Sequence, residues 1–199
     1  MPRGLATRDR IKQAALGLFV EKGIIGTSVR DIATRAEIAE GGLYRHYASK
    51  EDLAWKLFSE NYAALARDLQ ALAPAPRGAA RPDCAGQLAA MVGRFCRFFD
   101  EEPLLFRFLL LTQHQELPKL RAKTQSPVQV LRKWVAEGQR RGDLTGGDAD
   151  LATAQILGLL LQPATFMVYG LLAPGMRRIE METIAACQRV VGLEAGAAT

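Results

Sequence analysis

The stretch of sequence that decides the fold runs from Thr27 to Leu53 and reads TSVRDIATRAEIAEGGLYRHYASKEDL. Ser28 and Asp31 have the spacing of a capping box, which predicts that a helix of about two turns begins at this point. A tight turn then leads into the next helix, predicted over Glu40–Tyr47, which is the third of the chain because another helix precedes Ser28. Two short helices joined by a tight turn make a helix-turn-helix, so this segment is predicted to be one.

The flanking sequence supplies the rest of an N-terminal helical domain. Between Asp9 and Glu21 the apolar residues recur at helical spacing, and Gly23 is suited to end that first helix. A second capping box opens a longer helix, predicted over Ser49–Ala73. Residues 73–82 read APAPRGAARP, cannot propagate a helix and are predicted to form a linker or flexible loop.

Beyond this linker the spacing of apolar residues predicts five more helices, which makes about nine in all. Alternating β-branched residues are nearly absent, so the predicted class is all-α. We expect a helix-turn-helix domain over residues 1–50, a connecting helix over 49–73 and a second helical domain over 74–199. The five later helices are predicted over Asp83–Asp100, Glu102–Gln115, Pro127–Arg141, Leu151–Ala173 and Ile179–Val191.

One apolar stretch has to be tested against a membrane span. Leu151–Met176 contains no charged side chain and is long enough to cross a bilayer. Gln162 and Pro163 lie at its centre, and no other segment has the composition of a span. We therefore predict a helix that packs against other helices of a soluble protein.

Composition and charge restrict the function further. The chain has 199 residues, of which 49% are hydrophobic and 24% charged, as in a soluble globular protein. Its formal net charge is +5, and residues 1–50 hold nine basic and five acidic side chains, so most of the excess lies at one end. A basic first quarter indicates an anionic partner for that end, with nucleic acid the first candidate.

The sequence predicts no metal, no cofactor and no catalytic site. Cys84, Cys96 and Cys187 are too few and too widely spaced for a disulfide framework or a zinc site, and are expected to be reduced and mostly buried. The N-terminus, MPRGLATRDRIK, has no apolar core of signal-peptide length, so the expected location is the cytoplasm. A Gly-rich phosphate loop and the hydrolase and zinc-protease motifs are absent, so an enzyme is not expected.

The helix-turn-helix segment resembles the DNA-binding segment of the TetR family of bacterial transcriptional regulators. The resemblance rests on a first helix ending in Lys-Gly, a Thr-Ser cap, Val-Arg-Asp-Ile-Ala, Gly-Leu-Tyr-Arg-His-Tyr and Ser-Lys-Glu-Asp-Leu, in that order and at fixed spacing. It covers about a quarter of the chain in detail. Residues 74–199 match the family only in length and in their all-helical, apolar character.

A recognition helix presents its exposed face to the major groove of DNA. On the helix Glu40–Tyr47, Leu43 and Tyr47 lie one turn apart and point inward, so the other side chains are left for DNA. Arg45 has the geometry to bind guanine through two hydrogen bonds, the commonest specific contact.

The resemblance implies roles for four further side chains. It implies that Tyr44 and His46 contact the DNA backbone, that Lys50 contacts a phosphate, and that Arg30 reaches a base or a phosphate. Taken singly, Tyr44 is also consistent with packing and Arg30 with an ion pair on its own helix. The predicted DNA-binding residues are Thr27, Ser28, Arg30, Glu40, Gly41, Gly42, Tyr44, Arg45, His46 and Lys50.

Two departures from the family pattern bear on DNA recognition. The turn residue that is usually Gly is Glu37 here, and the usual Ser-Lys at the start of the recognition helix is Ala39-Glu40. Glu40 either accepts a hydrogen bond from a cytosine amino group or points aside and lowers affinity. The pair Gly41-Gly42 lowers helix propensity, so this helix is predicted to order fully only on DNA.

The second half is expected to hold the dimer interface and a ligand pocket. In the family the last two helices pair with those of a second chain as a four-helix bundle, which points to Leu151–Ala173 and Ile179–Val191. Bulky apolar residues with a few polar ones among them suggest a pocket for an apolar or amphipathic ligand, although core packing explains each of them as well. The predicted ligand-binding residues are Met91, Phe95, Phe99, Phe106, Leu109, Gln113, His114, Trp134, Phe166, Met167 and Tyr169.

The sequence therefore predicts a homodimeric regulator, most simply a repressor that binds a palindromic operator and is released by an apolar or amphipathic small molecule. A transcriptional activator would use the same DNA-binding surface, so the sequence does not decide between repression and activation. The alternative is a helical lipid-carrier or protein-interaction module that does not bind DNA sequence-specifically.

Overall fold

The structure is a computed structural model that describes residues 3–73, 82–119, 126–145 and 147–193. Within these ranges the chain forms nine α-helices and no strand, which confirms the predicted all-α class. Two 3₁₀ turns, Leu117–Lys119 and Met176–Ile179, are also present. The helices are α1 (Arg3–Gly26), α2 (Val29–Arg35), α3 (Glu40–Tyr44), α4 (Lys50–Leu72), α5 (Cys84–Glu101), α6 (Pro103–Glu116), α7 (Pro127–Arg141), α8 (Ala149–Val168) and α9 (Glu180–Val190).

The described residues divide into two compact units. The first comprises residues up to 62 together with 104–119, and the second comprises the other described residues. Helix α4 therefore begins in the first unit and ends in the second. Although α6 follows the linker in sequence, it belongs to the first unit, where the rings of Phe108 and Phe19 stack with centroids 6.0 Å apart. Residue 74 and most of the predicted linker lie outside the described residues, so the domain boundary stays a prediction.

Helix α1 carries the predicted core face. It begins at Arg3, earlier than the predicted Asp9, and it is interrupted at Gly23, whose φ is 73°. A positive φ is readily adopted only by glycine, which is why the regular helix breaks at this residue. The four residues predicted to face the core, Ile11, Ala15, Leu18 and Phe19, are all buried.

Helix α2 begins at the predicted capping box. The Ser28 hydroxyl oxygen accepts a hydrogen bond from the Asp31 amide at 3.0 Å, and the Asp31 carboxylate accepts one from the Ser28 amide at 3.0 Å. Two donors that the helix itself cannot satisfy are thereby paired.

Helix α3 is shorter than predicted. It ends at Tyr44, with Arg45 as its C-cap, so the predicted end at Tyr47 is wrong. The amides of His46 and Tyr47 both donate to the Leu43 carbonyl, at 2.9 and 3.0 Å, and the chain turns there toward α4. The predicted inward pair is confirmed, because Leu43 and Tyr47 are both fully buried.

The second unit is built around α5, α8 and α9. Helix α5 packs against α9 and the Met176–Ile179 turn, α7 packs against α8, and α8 packs against α9. The Asp100 carboxylate near the end of α5 accepts hydrogen bonds from the amides of Met176 and Arg177, at 2.9 and 3.0 Å. This carboxylate therefore fixes the approach of the chain to α9.

The three cysteines are buried and free, as predicted. Burial raises the pKa of Cys96 to about 12 and that of Cys187 to about 11. Both thiols are therefore protonated and unreactive near neutral pH.

Helix α8 ends at Val168, and the predicted end near Ala173 is wrong. Gly170 has a φ of 73°, and the amide of Leu171 donates back to the Phe166 carbonyl at 2.8 Å. These two features form a glycine-terminated helix end. Pro163 lies inside α8.

Helix α8 is also the one described helix long and apolar enough to cross a membrane, and about a third of its most apolar window is buried. Helix α8 packs against α7 and α9, which confirms the prediction that it packs against other helices. One exposed stripe remains, and its members recur at helical spacing: Leu151, Ala154, Gln155, Gly158, Gln162 and Phe166.

Candidate nucleic-acid interface

Helices α2 and α3 present a polar surface because their apolar residues point into the first unit. Ile32 and Ala33 of α2 and Leu43 of α3 are buried. Arg30 of α2 and Arg45 at the end of α3 are exposed. The two helices pack against each other, so they hold these two arginines on one small folded element.

Thr27 was predicted to contact DNA, and the structure does not support that role. Its side chain is only 1% exposed, and its hydroxyl donates to the Gly23 carbonyl at 2.7 Å, with the Leu18 carbonyl at 3.3 Å. These hydrogen bonds of the buried hydroxyl fix the conformation of the chain between α1 and α2. Thr27 is therefore a structural residue, whereas its neighbour Ser28 is exposed and caps α2.

Lys50 contacts the protein rather than pointing freely into solvent. Its ammonium group donates to the Thr27 carbonyl at 2.7 Å and lies 3.6 Å from a carboxylate oxygen of Glu51. The side chain is 15% exposed. An ammonium group carries three donors, so a phosphate contact in addition to these stays a prediction.

The cations of the first four helices differ in whether an acidic partner is present. Among the described side chains of residues 7–62, seven cations lie within 4.0 Å of a carboxylate, whereas Arg30 and Arg45 form no ion pair. The alternative interpretation, in which Arg30 forms an ion pair with an acid on its own helix, is therefore not supported in this part of the chain. The seven paired cations are Arg8, Arg10, Lys12, Lys22, Arg35, Lys50 and Lys56.

The pairing of Arg35 shows the contrast on a single helix. Its guanidinium donates to both carboxylate oxygens of Glu21, at 2.8 and 2.9 Å. This bidentate contact lowers the pKa of Glu21 and raises that of Arg35. Arg30, five residues earlier on α2, has no such neighbour among the described residues, so its charge is available to an external anion.

The remaining predicted residues of α3 lie where a ligand can reach them. Tyr44 is 57% exposed, which contradicts the packing interpretation of this side chain. His46 is half-buried, with its ring centroid 6.5 Å from that of Tyr47. Glu40 is exposed and forms no ion pair in the described part of the chain, so neither interpretation of its role is tested by the protein's own contacts.

The two glycines of α3 differ in the space around them. A Cβ atom on Gly42 would lie 3.4 Å from the Cδ1 atom of Ile38, whereas one on Gly41 would meet nothing within 4 Å. Neither has a positive φ. Gly41 is therefore required neither by packing against the described residues nor by backbone conformation.

The predicted ligand-binding residues are divided between the two units. Phe106, Leu109, Gln113 and His114 belong to the first unit, and the others to the second. The Trp134 indole N–H donates to the Gln87 side-chain oxygen at 2.8 Å, so this residue already has a polar partner. Phe166, Tyr169 and His114 lie on the surface. The buried members are Met91, Phe99, Phe106, Leu109, Trp134 and Met167, and the half-buried ones are Phe95 and Gln113.

An open groove of about 590 Å³ lies on the second unit between α8 and α9. It is lined by Gln155, Gly158, Leu159, Ala186, Arg189 and Val190. None of the predicted ligand-binding residues lines it. The groove continues the exposed stripe of α8 instead.

Known proteins resemble this chain at two levels. A model of the family described as bacterial regulatory proteins, tetR family, matches residues 11–60. Over 65 residues the chain is 40% identical to the HTH-type transcriptional repressor Rv3405c of Mycobacterium tuberculosis. This match covers 33% of the chain and 35% of the relative, so the chain spans about a third of the length of that curated relative.

Solved structures extend the likeness to the second unit. A bacterial regulatory protein in the tetR family from Rhodococcus RHA1 has a TM-score of 0.73 at 22% identity, covering 93% of this chain and 96% of its own. The regulator FadR from Bacillus subtilis, solved in complex with stearoyl-CoA, has a TM-score of 0.69 at 19% identity, covering 93% and 98%. At these identities the likeness establishes the fold.

The fold and the first three helices define a helical protein with an N-terminal helix-turn-helix. Residues 11–60 of the chain match the tetR family of bacterial regulatory proteins, and the fold is like that of a solved regulator of this family.

Proposed function

We propose that the protein is a cytoplasmic, homodimeric transcriptional repressor that binds a palindromic operator and has no catalytic activity. The observation that carries this proposal is the pair of exposed arginines, Arg30 and Arg45, that form no ion pair among the described residues. A cation without an acidic neighbour has no internal contact to give up when it binds a phosphate or a base edge, whereas Arg35 would have to leave Glu21.

The two arginines are proposed to do different work. Arg45 closes α3, the helix that corresponds to the recognition helix, and is placed to bind guanine through its guanidinium fork. Arg30 lies near the start of α2 and is proposed to contact a phosphate or a flanking base. Tyr44, His46 and Lys50 are proposed to contact the DNA backbone, and the Ser28 side chain caps α2 beside them.

The test is binding of the purified protein to a duplex from its own upstream intergenic region, measured by fluorescence anisotropy across a salt series with an unrelated duplex as control. The proposal predicts a ratio of specific to non-specific affinity above roughly 10³. Binding that weakens equally on both duplexes as salt rises would reflect charge attraction alone and would contradict it. That outcome would favour a lipid-carrier or protein-interaction module instead.

The dimer is proposed to form through α8 and α9. The exposed stripe of α8 is apolar or small along most of its length, and the groove between α8 and α9 continues it. A second copy of the same face would cover both by two-fold symmetry. Pairing is also what a palindromic operator demands, because each helix-turn-helix reads one half-site.

The effector is proposed to be an apolar or amphipathic small molecule bound in the second unit. The buried aromatic and aliphatic residues of α5, α7 and α8 supply the kind of lining that such ligands need. FadR from Bacillus subtilis, which has the same fold, was solved with stearoyl-CoA, and this supports a ligand with a long acyl chain. Since α4 runs from the helix-turn-helix into the second unit, its displacement is the proposed route from ligand to DNA.

The effector proposal is tested on the protein–duplex complex with stearoyl-CoA as the probe and free coenzyme A as the matched control. The proposal predicts that stearoyl-CoA, below its micelle concentration, lowers the affinity for the specific duplex and that coenzyme A does not. Equal effects of the two compounds would contradict an apolar effector site.

A further inference from the structure

The turn between α2 and α3 has a helix end of the Schellman type. The Ile38 amide donates to the Ala33 carbonyl at 3.0 Å, and the Glu37 amide donates to the Thr34 carbonyl at 3.1 Å. Glu37 has a φ of 51°, inside the left-handed region. Glycine is the usual residue at this position because a Cβ atom makes the left-handed conformation unfavourable. The turn is therefore formed by a residue that does not favour it.

Arg10 of α1 binds this turn directly. Its Nη2 atom donates to the carbonyl oxygens of Ala36 and Glu37, the latter at 2.9 Å, and lies 3.2 Å from a carboxylate oxygen of Glu37. Ala36 is the C-cap of α2, so its carbonyl has no partner within the helix and lies at the negative end of the helix dipole, and Glu37 is the next residue. The guanidinium of Arg10 supplies both the missing donor and the complementary charge.

The backbone contacts matter more than the ion pair. The Glu37 side chain is 86% exposed and that of Arg10 is 46% exposed, and ion pairs exposed to this degree contribute little to stability. The two carbonyl oxygens, in contrast, belong to the turn itself, and Ala36 is buried. A donor held against them opposes any change in the backbone conformation of Glu37.

The α2–α3 turn also determines the position of α3. Ile38 is the residue after Glu37, and its side chain lies against Gly42, where an added Cβ would be 3.4 Å from the Ile38 Cδ1 atom. A displacement of the turn would carry Ile38 with it and remove the surface on which Gly42 rests. The placement of α3 therefore depends on the conformation of Glu37.

We propose that Arg10 is a positioning residue for the recognition helix. It stabilises the left-handed conformation of Glu37 in the α2–α3 turn, which a glycine at this position would adopt without that help. The link to DNA reading rests on the function proposed above, whereas the effect on the turn is measured without DNA. The proposal makes residues 10 and 37 a coupled pair, in which glycine at position 37 makes the arginine dispensable.

The experiment measures amide hydrogen exchange by NMR in the full chain. Arg10→Ala is expected to speed exchange of the Ile38 amide by about tenfold, the effect of losing one charge-assisted hydrogen bond. Arg10→Ala combined with Glu37→Gly is expected to return this rate to within about threefold of the original, because glycine has no Cβ penalty here. Lys12→Ala is the matched control, since it removes another α1 ion pair, with Glu60, but does not touch the turn.

A fourth variant separates the two kinds of contact. Glu37→Gln removes the ion pair but keeps the left-handed non-glycine residue and both carbonyls, so it is expected to leave the Ile38 rate nearly unchanged. If Glu37→Gln speeds exchange as much as Arg10→Ala does, the ion pair is what matters and capping of the carbonyls is refuted. An unchanged rate in Arg10→Ala, or no rescue by Glu37→Gly, would overturn the proposal.

The role in DNA reading has its own readout. The affinity for the upstream duplex is expected to fall about tenfold in Arg10→Ala and to recover in the double variant, in step with the Ile38 rate. Loss of affinity that Glu37→Gly does not restore would mean that Arg10 touches DNA itself and would overturn the positioning role. If the original chain shows no specific binding at all, the proposed function fails while the exchange data still decide whether Arg10 holds the turn.

Discussion

The helix-turn-helix surface and the exposed face of α8 differ in what they leave without a partner. On α2 and α3 it is charge, because Arg30 and Arg45 form no ion pair with any described residue, whereas the neighbouring cations do. On α8 it is apolar and small side chains at helical spacing, beside a groove that reaches α9. An unpaired cation is satisfied by an anion and an apolar face by another apolar face, so the two regions call for two different partners. Two variants test this contrast, and two more test which residues of the first unit stabilise the fold rather than bind DNA.

The largest effect is expected from Gly158→Arg in the groove of the second unit. A Cβ atom at Gly158 meets nothing within 4 Å in the protomer, so the chain should fold, but an arginine would project into the proposed dimer interface. We expect a monomer in analytical ultracentrifugation and a loss of operator affinity of about 100-fold or more, as two linked half-sites become independent. Gly158→Ala is the control and should remain a dimer. A dimeric Gly158→Arg would place the interface elsewhere.

The next effect is expected from Arg45→Ala in the helix-turn-helix. Loss of a bidentate contact to a base weakens binding by about 1–3 kcal/mol, or roughly 10- to 100-fold. Arg35→Ala removes the same charge from a residue that is paired with Glu21, and it should change the affinity only a few-fold. Anisotropy titrations of both variants on the same duplex make the comparison. Equal losses would show that only the net charge of the surface matters.

A third variant, Thr27→Val, should affect stability rather than recognition. It removes a buried hydroxyl that donates to the Gly23 carbonyl, and leaving that acceptor unpaired costs about 1–3 kcal/mol. We expect a lower midpoint of unfolding in urea and an unchanged affinity in the folded protein. A variant of unchanged stability that no longer binds DNA would restore Thr27 to the DNA-binding set.

The smallest effect concerns the caps of the first unit at acid pH. Hydrogen bonds from the Ser28 backbone and side chain lower the pKa of Asp31, with a further contribution from Lys22. Because the folded pKa lies below the unfolded one, this carboxylate stabilises the fold above the unfolded pKa, and the contribution is lost as pH falls through the folded pKa. Asp31→Asn should therefore flatten the fall in stability of the first unit below about pH 4. Asp9→Asn, a change of an exposed acid outside any cap, should not.

The caps and the buried face of the first unit could be predicted because their signals are local. The spacing of Ser28 and Asp31, or of Leu43 and Tyr47, needs no knowledge of the rest of the chain. The end of α3 could not be predicted, because residues 45–47 are as compatible with a helix as the residues before them. The chain turns there because the amides of His46 and Tyr47 donate to one acceptor, the Leu43 carbonyl.

Contacts between distant residues were also beyond the sequence. The contact of Lys50 with the Thr27 carbonyl and that of Arg10 with the Glu37 carbonyl depend on where α4 and α1 pack against the chain around α2. In the second unit, helical spacing identifies apolar faces but does not tell a core face from an interface or a pocket. Phe166 and Tyr169 illustrate this, because the sequence assigned them to a pocket and the structure places them on the surface.

The central claim is that the first unit binds a specific DNA sequence and that the second unit pairs two copies of the chain. One dimer then binds two half-sites. Selection of bound duplexes from a random pool by the purified protein tests both parts at once. The account predicts enrichment of an inverted repeat whose half-site centres lie about one helical turn, or a multiple of it, apart. Enrichment of a single unpaired site would contradict the dimer, and no enrichment over the starting pool would contradict sequence-specific recognition altogether.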